Sequence, residues 1–223
     1  MAESRSYDLS GYDTVIATTG VRAIITVSGD YQLRIEARDA ALLDRLDVSV
    51  SGGRLHLGFA RNFLDLLLSG ALLDLMRFGG DIGVTAYVSM PSLNGAEANS
   101  GGRIEASNVR SDRFHADASS GGTLSLLGVS GGDYRVQTSS GGKIEIEGAI
   151  EEIDAAASSG GTVRADKLRA AVGRLEASSG GHLEATVTSR VRANASSGGH
   201  IEVSGKPTDR DINSSSGGHV ALR

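Results

Sequence analysis

Residues 138–148 read Thr-Ser-Ser-Gly-Gly-Lys-Ile-Glu-Ile-Glu-Gly, and the tetrapeptide inside them recurs. Ser-Ser-Gly-Gly stands at 119–122, 139–142, 158–161, 178–181, 196–199 and 215–218, and a near copy, Asn99-Ser100-Gly101-Gly102, precedes them. The interval is 18 to 20 residues. A period of that size marks stacked structural units. The flanks decide what is stacked. Two places after the last glycine stand Ile104, Leu124, Ile144, Val163, Leu183, Ile201 and Val220, and two further on Ala106, Leu126, Ile146, Ala165, Ala185, Val203 and Leu222. The intervening residues, such as Lys143 and Glu145, are polar.

The approach to each tetrapeptide alternates in the same way. Ala96, Ala116, Val136, Ala155, Leu175, Ala193 and Ile212 are apolar, and the residue just before each corner is small. Period-two alternation is the signature of a strand with one buried face. Each repeat therefore reads as strand, tight corner, strand and a more variable return. One such unit cannot bury its apolar face alone. Stacked in parallel register at about 4.8 Å, the units share a continuous core. The predicted fold is all-β: a parallel β-helix, or solenoid, of 18–20-residue coils. Its structural corners are Ser119, Gly121, Gly122, Ser139, Gly141, Gly142, Ser158, Gly160, Gly161, Ser178, Gly180, Gly181, Ser196, Gly198 and Gly199. The glycine pair is expected to supply backbone conformations that a side chain forbids.

Composition agrees. The 223 residues include 31 Gly but only 2 Pro, and aromatics are 4% with no Trp. Ala, Val, Leu and Ile suit many narrow, similar layers. The absence of Cys removes disulfides and thiolate chemistry. A net charge of −5 with both signs interspersed gives no basic face for nucleic acid. The N-terminus "MAESRSYDLSGYD" lacks the apolar h-region of a signal peptide.

Residues 1–90 are less regular. "TVIATTG" (14–20), "RAIITVSG" (22–29), "YQLRIEA" (31–37) and "LDVSVSGGRLHLGF" (46–59) alternate as strands. Val50-Ser51-Gly52-Gly53-Arg54 resembles a degenerate corner, and "DAALLDRL" (39–46) reads as a helical turn. "NFLDLLLSGALLDLMRF" (62–78) has no alternation and reads as a Leu-rich helical insert. Three roles suit it: a cap over the stack, a self-association surface, or, with least support, membrane contact. It is too short and too charged for a confident span. The regular stack occupies 91–223 and is expected to form one continuous domain with the N-terminal portion.

The segments "YDLSGYDTVIATTGVRAIITVSGDYQLRIEA" (7–37), "DRLDVSVSGGRLHLGF" (44–59) and "VTAYVSMPSLNGAEANSGG" (84–102) resemble the head GIN domain family, known by the description "putative autotransporter adhesin". The likeness runs from about Tyr7 to the C-terminus. It implies a bacterial, exported β-helical protein of the periplasm or cell surface, with no catalytic residues to carry over.

The residues themselves offer little chemistry. His182, His200 and His219 follow three consecutive corners, with Glu184 and Glu202 beside them. They are the only candidate metal ligands. Three rungs span roughly 9.6 Å, whereas zinc ligands lie about 2.0–2.2 Å from the ion, so a solvated ladder is the preferred reading and no metal or other cofactor is assigned. Nucleophile-elbow, phosphate-loop and metalloprotease motifs are absent. The expected function is non-enzymatic: a surface or envelope scaffold or adhesin presenting a polar ladder to a glycan or cell-surface protein. Alternatives are a self-assembling structural β-helix and, behind it, a carbohydrate-active enzyme. Self-association is expected through the Leu67, Leu68 and Leu72 region or the C-terminal rung.

Overall fold

A computed structural model describes residues 3–59 and 82–223. The strands form a parallel β-helix. One helical sheet face holds the strands entering the corners: β2 (Thr14–Thr18), β8 (Gly95–Asn99) and the C-terminal halves of β10 (Arg110–Ser119), β11 (Thr123–Thr138), β12 (Lys143–Ala157), β13 (Thr162–Ala177) and β14 (His182–Ala195), then β16 (Asp209–Ser214). The second face holds the strands leaving them: β3 (Arg22–Val27), β9 (Arg103–Ser107), the N-terminal halves of β11 to β14, β15 (His200–Ser204) and β17 (His219–Leu222).

The inward columns match the alternation. Leu124, Ile144, Val163, Leu183 and Ile201 stack rung on rung, all at 0% exposure. Ala96, Ala116, Val136, Ala155, Leu175 and Ala193 do so on the opposite wall. The return segments are strand as well, because β11 to β14 bend without breaking. Register shifts between Leu126/Val129, Glu145/Gly148 and Ala165/Arg169 fall at these bends. Bulges there absorb the 18-to-20-residue variation while the corner stays constant.

The expected positive φ falls on the first glycine of each pair, and the second Ser shares it. The left-handed residues are the second Ser and the first Gly: Ser120 and Gly121 have φ of 51° and 75°, Ser159 and Gly160 have 49° and 72°. The Gly122 N–H donates to the Ser119 carbonyl at 2.9 Å. Positive φ at both central residues with this bond is the signature of a type I′ turn. The second glycine needs no positive φ. It is required because a Cβ on Gly122 would stand 1.9 Å from the Ala98 carbonyl oxygen of the preceding coil. The αL serine also keeps the corner in the ladder: the Gly121 N–H donates to the Ser140 carbonyl of the next coil at 3.2 Å.

The N-terminal end departs from chain order. Residues 14–27 form a coil that pairs with residues 95–107, its corner being Thr18-Thr19-Gly20-Val21 with φ of 53° at Thr19 and 72° at Gly20. Beyond it lie β6 (Arg54–Phe59), parallel to β2, and β7 (Val84–Met90), parallel to β3. Antiparallel strands then cover the end: β5 (Leu46–Ser51) on β6, β4 (Gln32–Ala37) on β7 and β1 (Glu3–Tyr7) on β4. Covering an open β-helix end in this way removes unpaired edge groups. Ser51-Gly52-Gly53-Arg54 is therefore no corner of the stack. It turns the antiparallel β5–β6 hairpin, with φ of 57° and 76° at its glycines. The short helix α1 (Ala40–Leu43) is capped by Asp39, whose side chain accepts from the Ala41 N–H at 3.0 Å. The Leu-rich segment 62–78, with Leu67, Leu68 and Leu72, lies outside the described residues.

Candidate functional site

The parallel register turns each outward position into a row running along the stack. After the corners the row is Arg22, Arg103, Thr123, Lys143, Thr162, His182, His200 and His219. Its neighbour contains Glu105, Ser125, Glu145, Arg164, Glu184 and Glu202. The three histidines are brought together, but as a stack. The His182 and His200 rings lie 5.1 Å apart and parallel, and the His200 and His219 rings 5.2 Å apart at 18°. Parallel rings direct their nitrogens side by side rather than toward one point. His182 Nε2 sits 2.9 Å from Glu184 Oε1, and Arg223 pairs with Glu202 at 2.9 Å. Among the described residues no group of three or more His, Asp or Glu is placed to hold a metal ion.

The strands entering the corners carry a second outward system. Arg113, Asp133, Arg135, Glu152 and Asp154 line a hollow of about 280 Å³, and Glu152, Arg174, Arg190, Arg192, Asp209 and Asp211 line another of about 400 Å³. Arg190 pairs with Asp209 at 2.7 Å and Arg192 with Asp211 at 2.8 Å, each across one rung. These exposed pairs contribute little stability. They leave the groove balanced in charge.

A third place was not visible as a motif. On the outward face of four adjacent strands, register aligns Ser6 (β1), Arg34 (β4), Tyr87 (β7) and Ile24 (β3) in one row, and Gln32, Ser89 and Thr26 in the next. With Tyr7, Asp8 and Tyr31 they line a cleft of about 560 Å³. The Arg34 guanidinium lies over the Tyr87 ring, 4.9 Å from its centroid, and is also paired with Glu36. Tyr87 remains 37% exposed. Tyr31 is held from below: it meets Tyr12 edge-on at 4.8 Å and donates its hydroxyl to the Tyr12 carbonyl at 3.1 Å. The chain has five tyrosines. Three line this cleft and a fourth, Tyr12, supports it. In so aromatic-poor a chain, the three tyrosines among residues 7–31 are the one sequence signal that could have drawn attention to this end, though it does not name Tyr87 or Arg34 as their partners.

The family profile described as "Putative auto-transporter adhesin, head GIN domain" matches residues 11–207, and the chain belongs to that family. No curated protein matches it. Among solved structures it is similar to a "putative adhesin" from Bacteroides fragilis, with TM-score 0.81 and 18% identity over 100% of this chain and 97% of the other. A "putative lipid binding protein" from Parabacteroides distasonis is similar with TM-score 0.67 and 16% identity over 100% and 96%. A "putative adhesin" from Parabacteroides merdae gives TM-score 0.62 and 14% identity over 100% and 96%. At these identities the likeness is one of fold.

Proposed function

We propose that the chain is a non-enzymatic adhesin module of the cell surface or envelope, a rigid β-helix that presents its flat polar ladder to a partner. The observation that carries this reading is the unbroken register from Arg103 through Thr123, Lys143, Thr162, His182 and His200 to His219. It fixes polar side chains at regular spacing on a face whose strands pair in parallel from rung to rung. Such a surface needs no ordering of loops to bind, which removes part of the entropic cost of association. Family membership supports the adhesive role and the envelope location. Among the described residues no helix is long and apolar enough to cross a membrane. Charged groups pair along the ladder instead of converging on a reacting centre, which favours binding over catalysis.

Beads coated with the purified protein test this. They should be retained on immobilised matrix proteins, glycans or cells, and replacing Lys143, Thr162 and His182 together by Asp should abolish retention. Retention no better than that of uncoated beads would count against adhesion. Filaments in electron micrographs would favour self-assembly, and release of reducing ends from polysaccharides would favour an enzyme.

A further inference from the structure

We infer that the cleft between Tyr7, Tyr31, Arg34 and Tyr87 is a binding site for a neutral saccharide. The inference rests on the adhesive reading and names the ligand chemistry of a site apart from the ladder. A pyranose offers an apolar C–H face and a rim of hydroxyls that both donate and accept. The cleft matches both. Tyr87 and Ile24 on the outward face, with the partly buried Tyr7 and Tyr31 at the edge of the cleft, supply the apolar surface, and Ser6, Gln32, Thr26, Ser89 and Asp8 supply hydroxyl, amide and carboxylate groups. Its volume lies within the roughly 300–1,000 Å³ of small-ligand sites.

Charge excludes the anionic alternatives. Among the described residues Arg34 is the only cation lining the cleft; Asp8 lines it too, and Glu36 is ion-paired to the Arg34 guanidinium. Among the described lining residues no surplus positive charge is left for a sulfate, phosphate or sialic acid carboxylate. An acyl chain is disfavoured as well, because Leu33 and Val88 are buried at 3% and 2% exposure and the surface that remains is banded with polar groups. Preorganisation favours a sugar: the Arg34 guanidinium holds the Tyr87 ring, and Tyr12 with the Tyr31 hydroxyl bond holds Tyr31. Aromatic faces fixed in this way supply contact area at small entropic cost.

A glycan microarray carrying neutral, sialylated and sulfated oligosaccharides tests the proposal, with dioleoylphosphatidylcholine liposomes as a separate arm. Neutral glycans should bind, and Tyr87→Ala should reduce that binding roughly tenfold or more. Gln32→Ala, an exposed change that leaves the aromatic packing alone, should weaken it less, and His200→Ala on the distant ladder should leave it unchanged. Because the chain has no Trp, titration of the best neutral glycan should also change the tyrosine emission. Circular dichroism shows whether each variant is folded, and Gln32→Ala keeps the test decisive if Tyr87→Ala is not. Binding restricted to charged glycans or liposomes, or neutral binding that survives both cleft variants, overturns the site. Bead retention that depends on the ladder while no neutral glycan binds removes the cleft proposal and leaves the adhesive reading standing. Neutral-glycan binding in the cleft without any ladder-dependent retention does the reverse to the ladder.

Discussion

The carbonyl carbon and oxygen of Thr138 each lie 2.8 Å from the point that a Cβ on Gly161 would occupy. The adjacent Gly160 has open space around that point but a φ of 72°. The two glycines of one corner are thus required for different reasons, close approach between coils and backbone handedness. Gly160→Ala should cost about 1 kcal/mol, the strain of an L-residue in the left-handed region. Gly161→Ala should cost more, upwards of about 2 kcal/mol, since backbone must move. Ser159→Gly relieves αL strain at Ser159 but adds freedom to the unfolded chain, so it should be neutral or stabilising by about 0.5 kcal/mol. Urea denaturation ranks the three. A larger loss at Gly160 than at Gly161 would refute the division of roles.

The inward column gives a second test. Ile144 is fully buried between Leu124 and Val163, while Lys143 faces outward between Thr123 and Thr162. Ile144→Asp buries an unpaired carboxylate and should cost several kcal/mol, about 3 or more, whereas Lys143→Asp should stay within about 0.5 kcal/mol. Similar melting temperatures for the two variants would be incompatible with the observed register.

Two buried tyrosines should respond oppositely to losing their hydroxyls. The Tyr12 hydroxyl is buried without a hydrogen-bond partner among the described residues, while that of Tyr134 donates to the Ser130 carbonyl at 3.1 Å. Tyr12→Phe should therefore stabilise by about 1 kcal/mol, and Tyr134→Phe should cost about the same. Burial raises both phenols from 10.0 to about 12, at Tyr12 with help from Tyr31. A raised folded-state value means stability is intact below pH 10 and is lost as pH rises toward 12. Alkaline unfolding of the double Phe variant should consequently begin at higher pH than that of the parent, by circular dichroism.

The core columns were legible because each coil restates them: Ile144 is read with Leu124 and Val163, and a chance alternation does not recur at every corner. The N-terminal end was not legible in the same way. Thr18-Thr19-Gly20-Val21 and Ser51-Gly52-Gly53-Arg54 carry similar turn chemistry, yet the first closes a coil and the second a hairpin. What separates them is the partner strand, since β6 pairs with both β2 and β5, and no local signal states that. The cleft was hidden for the same reason. Arg34 meets Tyr87 only through antiparallel pairing of β4 with β7. The histidine ladder lay in plain sight at His182, His200 and His219, but ring orientation, which decides its chemistry, is set by packing.

Asp117 provides a pH test of an outward row on the strands entering the corners. It is half-buried on an outward row with Glu97 and Gln137 as register neighbours. Burial raises its carboxyl above the ordinary 3.8, Glu97 adds to the rise, and His115 opposes it. The folded state therefore holds the Asp117 proton more tightly than the unfolded chain does. The associated stability is present below pH 3.8 and is lost as pH rises through the raised folded value. Asp117→Asn, which cannot ionise, should raise the melting temperature at pH 7, and the advantage should vanish near pH 3. The Arg54 guanidinium is ion-paired with Glu97 and partly offsets its charge. Arg54→Gln should accordingly enlarge the gain from Asp117→Asn at pH 7, a coupling measurable by a double-mutant cycle. Equal gains at pH 7 and pH 3 would show that the carboxylate charge is not what the row resists.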